Sequence, residues 1–230
     1  LIDLAAACDK DPEKWARMAF DWGHGELADY SGPREWQTEA FEEIRDHLSN
    51  PKTRFQPLML ARASGHGIGK SAFIGMVSNW ALSTCDDCKV VVTANTDTQL
   101  RTKTSPEIGK WARLSITNHW FEPNAASIAS RDKAHAKTWR ADFVPWSEHN
   151  TEAFAGLHNK GKRIVLIFDE ASAISDKVWE VAEGALTDED TEIIWIAFGN
   201  PTRNTGRFRE CFRRFKHRWK ARQIDSRTVE

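Results

Sequence analysis

The sequence predicts an α/β fold in which a mainly parallel sheet carries helices on both faces. Three observations predict it. Apolar strand-like runs alternate along the chain with helical stretches, the order that builds crossover units. Those runs are apolar without interruption, as strands covered on both faces are. The turn after the first of them is rich in glycine and leads directly into a helix.

The elements follow in order. Asp11-Pro12 opens a helix through Phe20, because aspartate caps a first turn and proline is tolerated in it. Tyr30-Ser31-Gly32-Pro33 is a break. From Pro33 to Leu48 the residues Trp36, Ala40, Phe41, Ile44 and Leu48 share one helical face. Pro57 to Ala61 reads as a short buried strand, the glycine-rich stretch 65–69 ends it, and helical spacing resumes over 71–83. Lys89 to Ala94 is a second buried strand and Gln99 to Leu114 a second long helix. Residues 115–160 are mixed, and the alternation in Lys137 to Val144 suggests an exposed strand. Ile164–Phe168 and Ile193–Phe198 are two further strands, separated by a helical stretch at 175–186. The expected division is an N-terminal helical extension over 1–32, the main domain over 33–215 and a C-terminal segment over 216–230.

Composition bounds the function. The chain has 230 residues, 40% apolar and 28% charged, enough for one packed domain, and its 13 Gly and 8 Pro exclude a collagen-like or low-complexity polymer. The longest apolar run, Ile164 to Phe168, falls far short of the ~20 residues a membrane span needs, so no membrane partner is expected. Leu1 to Ala7 lacks a basic start and runs into Asp9-Lys10-Asp11, unlike a signal peptide. Cysteines 8, 85, 88 and 211 are too scattered for a disulfide framework and point to a reducing cytoplasm. Cys85-Asp86-Asp87-Cys88 has half the spacing of a zinc site without the other half and reads as an exposed loop. The net charge of −1 hides an asymmetry: residues 1–50 hold 12 Asp/Glu against 5 Lys/Arg, whereas Arg203 to Arg222 holds 9 Lys/Arg against Glu210 alone. That stretch is either a solvated cationic face or a contact for a polyanion. Among the 11 tryptophans, Trp15, Trp80, Trp111 and Trp179 sit at helical positions and read as core, while Trp219 could be core or stack on nucleic acid.

The glycine-rich turn is Ser64-Gly65-His66-Gly67-Ile68-Gly69-Lys70-Ser71, which departs from the phosphate-loop pattern only at Ser64. Glycines let backbone N–H groups converge on phosphate oxygens, and the helix starting near Gly69 adds a partial positive charge. Lys70 supplies charge for the β- and γ-phosphates, and the Ser71 hydroxyl can ligate Mg²⁺. Such a loop needs a carboxylate at the end of a neighbouring strand, and Ile164 to Phe168 runs into Asp169-Glu170. Asp169 would serve the Mg²⁺ shell and Glu170 would orient or deprotonate water. Asp169 could also be a helix cap, but Ser71 already demands a metal partner. A water-activating glutamate points to hydrolysis rather than transfer to an acceptor. Ile193 to Phe198 runs into Gly199-Asn200-Pro201-Thr202, which by composition is a turn needing no function, although Asn200 or Thr202 could reach the γ-phosphate.

Taken in order, Ser64–Ser71, Ile164–Glu170 with Ala171-Ser172, and Gly199–Thr202 resemble the ATPase domain of tailed-bacteriophage terminase large subunits. Glu152-Ala153-Phe154-Ala155-Gly156-Leu157-His158 and Gly206-Arg207-Phe208 are similar too, and the resemblance covers roughly residues 30–215. It implies a RecA-like (ASCE) P-loop NTPase sheet, with Lys89–Ala94 intervening in sequence between the phosphate-loop strand and the acidic strand. It implies an ATP- and Mg²⁺-dependent motor that threads double-stranded DNA into a procapsid. Its partners would be a portal protein, the terminase small subunit and copies of itself in a ring. The setting would be the host cytoplasm during assembly, outside the mature virion.

By the same resemblance Trp36 and Gln37 would be the adenine-recognition motif, Ser64, Gly65, His66, Gly67, Ile68, Gly69, Lys70 and Ser71 would hold the phosphates, Ser71 would hold the metal with Asp169 as a carboxylate that binds it directly or through a water, Glu170 would be the catalytic base, and Asn200 to Thr202 would couple hydrolysis to motion. Two departures stand out. Many relatives carry an arginine inside the loop where this chain has His66; Arg62 could reach around, or Arg101, Arg140, Arg163 or Arg203 could serve a neighbouring subunit. The nuclease half of such proteins would lie beyond Glu230, so no nuclease activity is expected here and 216–230 would lead toward it. Two alternatives remain: another RecA-type, helicase-like ATPase that remodels nucleic acid, and a non-catalytic nucleotide-binding module that assembles a ring.

Overall fold

In the computed structural model, which describes residues 1–94, 96–149, 151–155 and 157–229, the strands join into one eight-stranded sheet. Gly156 of the 152–158 stretch and Glu230 at the end of the C-terminal segment lie outside the described residues. The chain begins with two short helices, α1 (Ile2–Ala7) and α2 (Pro12–Met18). The Asp11 side chain accepts a hydrogen bond from the Lys14 N–H at 3.0 Å, the cap its sequence announces. Then come α3 (Glu35–Ser49), β1 (Leu58–Ser64), α4 (Lys70–Thr84), β2 (Lys89–Thr93), the turn α5 (Asp97–Gln99) and α6 (Ser105–Leu114). They are followed by β3 (Phe121–Pro123), β4 (Ser127–Ser130), β5 (Arg140–Phe143), α7 (Glu152–Ala155), β6 (Arg163–Phe168), α8 (Asp176–Ala185), β7 (Glu192–Gly199), α9 (Arg207–Glu210) and β8 (Lys220–Ile224).

The sheet order is β3-β4-β5-β2-β6-β7-β1-β8. Strands from β5 to β8 in that order run parallel, and β3 and β4 are antiparallel additions at one edge. In register Ala63 faces Gly199, Phe168 faces Ala197 and Thr93 faces Phe168, so β1, β7, β6 and β2 end along one rim. Ligands of open α/β sheets bind at that rim. In space β7, not β2, separates the phosphate-loop strand from the acidic strand, which brings the residue after β7 between the two.

Side-chain alternation divides the core in two. Val165 and Ile167 face α1 to α4 and α6, while Ile164, Leu166 and Phe168 face α7, α8 and the 207–219 segment. Trp80 donates to the Cys8 carbonyl at 2.8 Å and Trp15 to Asn79 at 2.9 Å, so the N-terminal helices share the core of α4.

Several expectations change. Lys137–Val144 is no exposed strand: β5 is paired on both sides, with Ala141 and Phe143 buried. The β3–β4 pair, three and four residues long, is too short to show a period. The edge strand β8, Lys-Ala-Arg-Gln-Ile, is mostly polar, as exposed edges tend to be. Because β8 pairs with β1, the sheet continues past residue 215. Cys88 is fully buried and Cys85 half-buried, so the Cys85–Cys88 stretch is not simply an exposed loop. Trp219 is 6% exposed and packs on Trp179 and Trp195, which makes it core rather than a stacking surface.

Candidate active site

The phosphate loop leaves β1 at Ser64 and enters α4 at Lys70. Gly69 has φ +83°, and a Cβ there would meet the Gln37 amide at 3.0 Å, so the loop can close only with glycine at this position. The start of α3 holds the loop from behind. Arg34 Nη1 donates to the Gly67 carbonyl at 3.1 Å, Trp36 Nε1 to the Ile68 carbonyl at 2.8 Å and Gln37 Nε2 to the Gly69 carbonyl at 2.8 Å. Three successive carbonyls are thus tied to α3, which fixes the peptide planes of a loop with little regular structure of its own. Gln37 also accepts from the Arg34 N–H at 2.9 Å, closing the first turn of α3.

At the centre Lys70 Nζ donates to Asn200 Oδ1 at 3.1 Å, and the Asn200 amide meets His66 Nε2 at 3.0 Å. Asn200 follows β7, the strand between β1 and β6, and therefore bridges the loop lysine and the loop histidine. Across the cleft, Asp169 Oδ2 accepts from Thr104 Oγ1 at 2.9 Å and Oδ1 from the Glu170 N–H at 3.0 Å. Burial pushes the Asp169 carboxyl up from its ordinary value, while the Thr104 hydroxyl and the Lys70 charge pull against it. Glu170 has φ +53° and ψ +42°, a left-handed backbone that carries a side chain only at a cost.

Lys70, Ser71, His66, Gly67, Gly69, Gln37, Asp169 and Glu170 line one cleft of about 400 Å³. Trp22, Leu27, Tyr30, Met76 and Trp111 form an apolar part of its wall, and Gln99, Lys103, Thr104, Glu107 and Lys110 line it too. Sequence reasoning placed none of these at a nucleotide site. The N-terminal aromatics reach the cleft only through packing, and Thr104 only through an irregular helix. Arg34 borders the cleft as well, and its place beside Trp36 and Gln37 was the one available signal.

Other expected residues lie elsewhere. Arg62 does not approach the cleft: it is 2% exposed, donates to the Lys220 carbonyl at 2.8 Å and pairs with Glu43 at 2.5 Å, because its strand position turns it toward α3 and β8. Trp36 is 6% exposed and packs against Phe73 and Phe198, so it supports the loop and does not line the cleft. Ser64 is buried at the end of β1, and Ile68 is buried beneath the loop. Thr202 is exposed, outside the cleft, and its N–H returns to the Asn200 carbonyl at 2.8 Å. Arg140 and Arg163 start β5 and β6, at the opposite end of the sheet from the cleft, and Arg163 is buried against Glu192 at 2.7 Å. Arg101 pairs with Asp97 at 2.8 Å, and Arg203 is exposed beyond Asn200, in a separate hollow with Arg209 and Arg213.

The donor set suits Mg²⁺. Asp169 is a buried carboxylate that accepts from one hydroxyl and one N–H and keeps acceptor positions for a cation, and the Ser71 hydroxyl lines the same cleft. No cluster of three His, Cys, Asp or Glu occurs among the described residues. Mg²⁺ does not require one, since it keeps several waters and binds through one or two protein oxygens together with phosphate.

Over residues 63–183, just over half of the chain, the sequence matches the family model for the helicase domain of RNA cytidine acetyltransferase NAT10/TcmA. That span runs from the end of β1 into α8 and includes both the phosphate loop and Asp169-Glu170. A probable terminase large subunit of Enterobacteria phage P7 is 25% identical over 218 residues, 92% of this chain and 42% of the relative. The chain thus spans less than half the length of the curated relative it matches. Among solved structures, the large terminase of a thermophilic bacteriophage has TM-score 0.51 at 10% identity, over 74% of this chain and 40% of that one. The same phage protein in complex with ADP gives 0.49 at 12% identity, over 72% and 38%. The first of these likenesses shows the fold, a RecA-like P-loop sheet. The chain therefore belongs to the family that the helicase-domain model describes, and along nearly its whole length it is similar to a probable phage terminase large subunit.

Proposed function

We propose that this chain is the ATP-hydrolysing motor domain of a DNA-packaging terminase, driving double-stranded DNA into a procapsid. The observation that carries the reading is the single cleft in which Lys70, held by Asn200, faces the adjacent pair Asp169 and Glu170. The loop N–H groups and Lys70 bind the β- and γ-phosphates of ATP. Ser71 and Asp169 would hold Mg²⁺, which would supply positive charge beside the phosphate oxygens. Glu170 orients a water and takes its proton as the water oxygen bonds to the γ-phosphorus and the bond to the β–γ bridging oxygen breaks, leaving ADP and phosphate. Asn200 touches Lys70 and His66 at once, so phosphate release changes its partners and carries the change into residues 201–213. The apolar wall by Trp22, Tyr30 and Met76 suits a base better than Trp36 does.

In this reading the ATPase domain of residues 33–215 is extended at its N-terminus by the helices of 1–32 and at its C-terminus by 216–230, whose strand β8 joins the same sheet beside β1. The partners are duplex DNA, a portal protein, the small subunit and other copies in a ring, in the host cytoplasm during assembly. No helix among the described residues is long and apolar enough to cross a membrane. The arginines weighed from the sequence lie outside the cleft, so the cation that completes the site comes either from Arg34, Lys103 or Lys110, which line it, or from a neighbouring subunit. The helicase-domain match favours a second reading, a RecA-type ATPase that remodels nucleic acid in another setting.

The test is steady-state ATP hydrolysis at several protein concentrations, with and without linear duplex DNA, beside Lys70→Ala and Glu170→Gln. Turnover that rises more than linearly with concentration and vanishes in both variants is expected. Linear turnover would mean a self-contained site. Turnover retained in Glu170→Gln would remove Glu170 from the mechanism. Metal-dependent ATP binding without hydrolysis, with DNA and partner proteins present, would leave a binding module.

A further inference from the structure

The helical run from Asp97 to Leu114 is not regular. Leu100 to Thr104 form a π-helical turn, inserted just before Ser105-Pro106. Pro106 has no N–H to give the Thr102 carbonyl, and its ring crowds that carbonyl, so the turn ahead of it widens. Thr104 ends the widened turn, 1% exposed, and gives its hydroxyl hydrogen to Asp169 Oδ2 at 2.9 Å. It is braced from behind, because the Ser105 hydroxyl donates to the Ala125 carbonyl at 3.0 Å ahead of β4. A helical threonine can satisfy itself on a carbonyl one turn back; the exposed Thr102 does so on Thr98 at 2.7 Å, and the buried Thr104 does not. Its partner is instead the buried carboxylate of the nucleotide cleft, and Thr104 itself lines that cleft.

We infer that Thr104 is a positioning residue for the metal carboxylate: its hydroxyl, set by the π-helical turn, fixes the orientation of Asp169 so that the remaining lone pairs serve the cation. A carboxylate has about four acceptor positions, and Thr104 and the Glu170 N–H occupy two. A second consequence is mechanical. Thr104 immediately precedes α6, so the same hydrogen bond ties Asp169 to the start of that helix. The inference rests on the reading above that Asp169 and Ser71 hold the metal.

The test uses the whole chain and no turnover. Affinity for a non-hydrolysable ATP analogue is measured with Mn²⁺ and again in EDTA, for the wild type, Thr104→Val and Thr104→Ser, with bound Mn²⁺ followed by electron paramagnetic resonance. Valine keeps the shape and removes the hydroxyl; serine keeps the hydroxyl. The expected result is a roughly tenfold smaller Mn²⁺-dependent gain in Thr104→Val, the lower end of what a lost support for a ligand costs. Metal-free affinity should stay within about twofold of the wild type, and serine should restore the gain. A wild-type gain in the valine variant would overturn the assignment. So would an equal loss with and without metal, which is what a purely structural threonine would show. If the wild type gains nothing from Mn²⁺, the metal reading of Asp169 and Ser71 fails first, and this inference with it.

Discussion

The indole N–H of Trp36 gives its hydrogen bond to the Ile68 carbonyl, and its ring is enclosed by Phe73 and Phe198. A residue so placed stiffens the loop and lies outside the lining of the nucleotide cleft. Trp36→Phe keeps the ring packing and loses the donor. Stability should fall by about 0.5–1.5 kcal/mol in thermal unfolding, the net worth of one hydrogen bond, and nucleotide binding should weaken with it. The preference for ATP over GTP should not change; a changed preference would return Trp36 to base recognition. Glu170 illustrates the opposite economy at the same scale. Its left-handed backbone costs about 1–2 kcal/mol, at the turn that leaves β6 beside the cleft. Arg62 and Glu43 form a buried pair that joins β1 to α3 and touches no part of the cleft.

At the scale of elements, α4 and α6 meet at Gly75, where an added Cβ would lie 2.5 Å from the Trp111 ring. Trp111 in turn packs edge-on against Phe20 at 5.0 Å and lines the nucleotide cleft. Gly75→Ala should therefore destabilise by about 1–3 kcal/mol through overpacking, despite the better helix propensity of alanine. Because Trp111 must shift, nucleotide binding should weaken as well, and a urea melt beside a binding isotherm checks both. A variant as stable as the wild type would show that α6 can move outward freely. The strands β1, β2, β6 and β7 were legible because strands buried on both faces need apolar residues throughout. β3, β4 and β8 were not: the first two are too short to display a period, and the last is an edge whose residues answer to solvent.

In the whole molecule the charge asymmetry of the sequence is partly internal. Arg222 on β8 pairs with Glu39 and Glu43 of α3 at 3.0 and 2.8 Å, so the basic stretch meets the acidic region through the sheet edge. Glu183 on α8 pairs with Arg207 and Arg218, tying the segment before β8 to the second core. Burial pushes the Glu183 carboxyl up, but the two arginines outweigh it and hold it below its ordinary 4.5. The unfolded chain thus takes up this proton at a higher pH than the folded one. The stabilisation is complete above about pH 4.5 and drains away as pH falls through the lowered value. Glu183→Gln should cost about 1–2 kcal/mol at pH 7, and the difference from the wild type should shrink as pH falls below the ordinary glutamate value, as measured by thermal unfolding. A difference independent of pH would mean that the glutamate acts by packing alone.

Sequence alone determined the sheet class, the phosphate loop and the acidic pair, because each depends on a local rule. A buried strand must be apolar, a turn against phosphate must be glycine-rich, and adjacent carboxylates follow a strand end. It also flagged Asn200, whose reach to Lys70 became visible once β7 was seated between β1 and β6. Tertiary structure decided what pairwise approach decides. It turned Arg62 away from the cleft, made Trp36 a brace, brought Trp22 and Tyr30 to the cleft wall and set Thr104 on Asp169. Those outcomes depend on which faces of distant segments meet, and a linear pattern of residue types does not specify which partner a buried polar group will find.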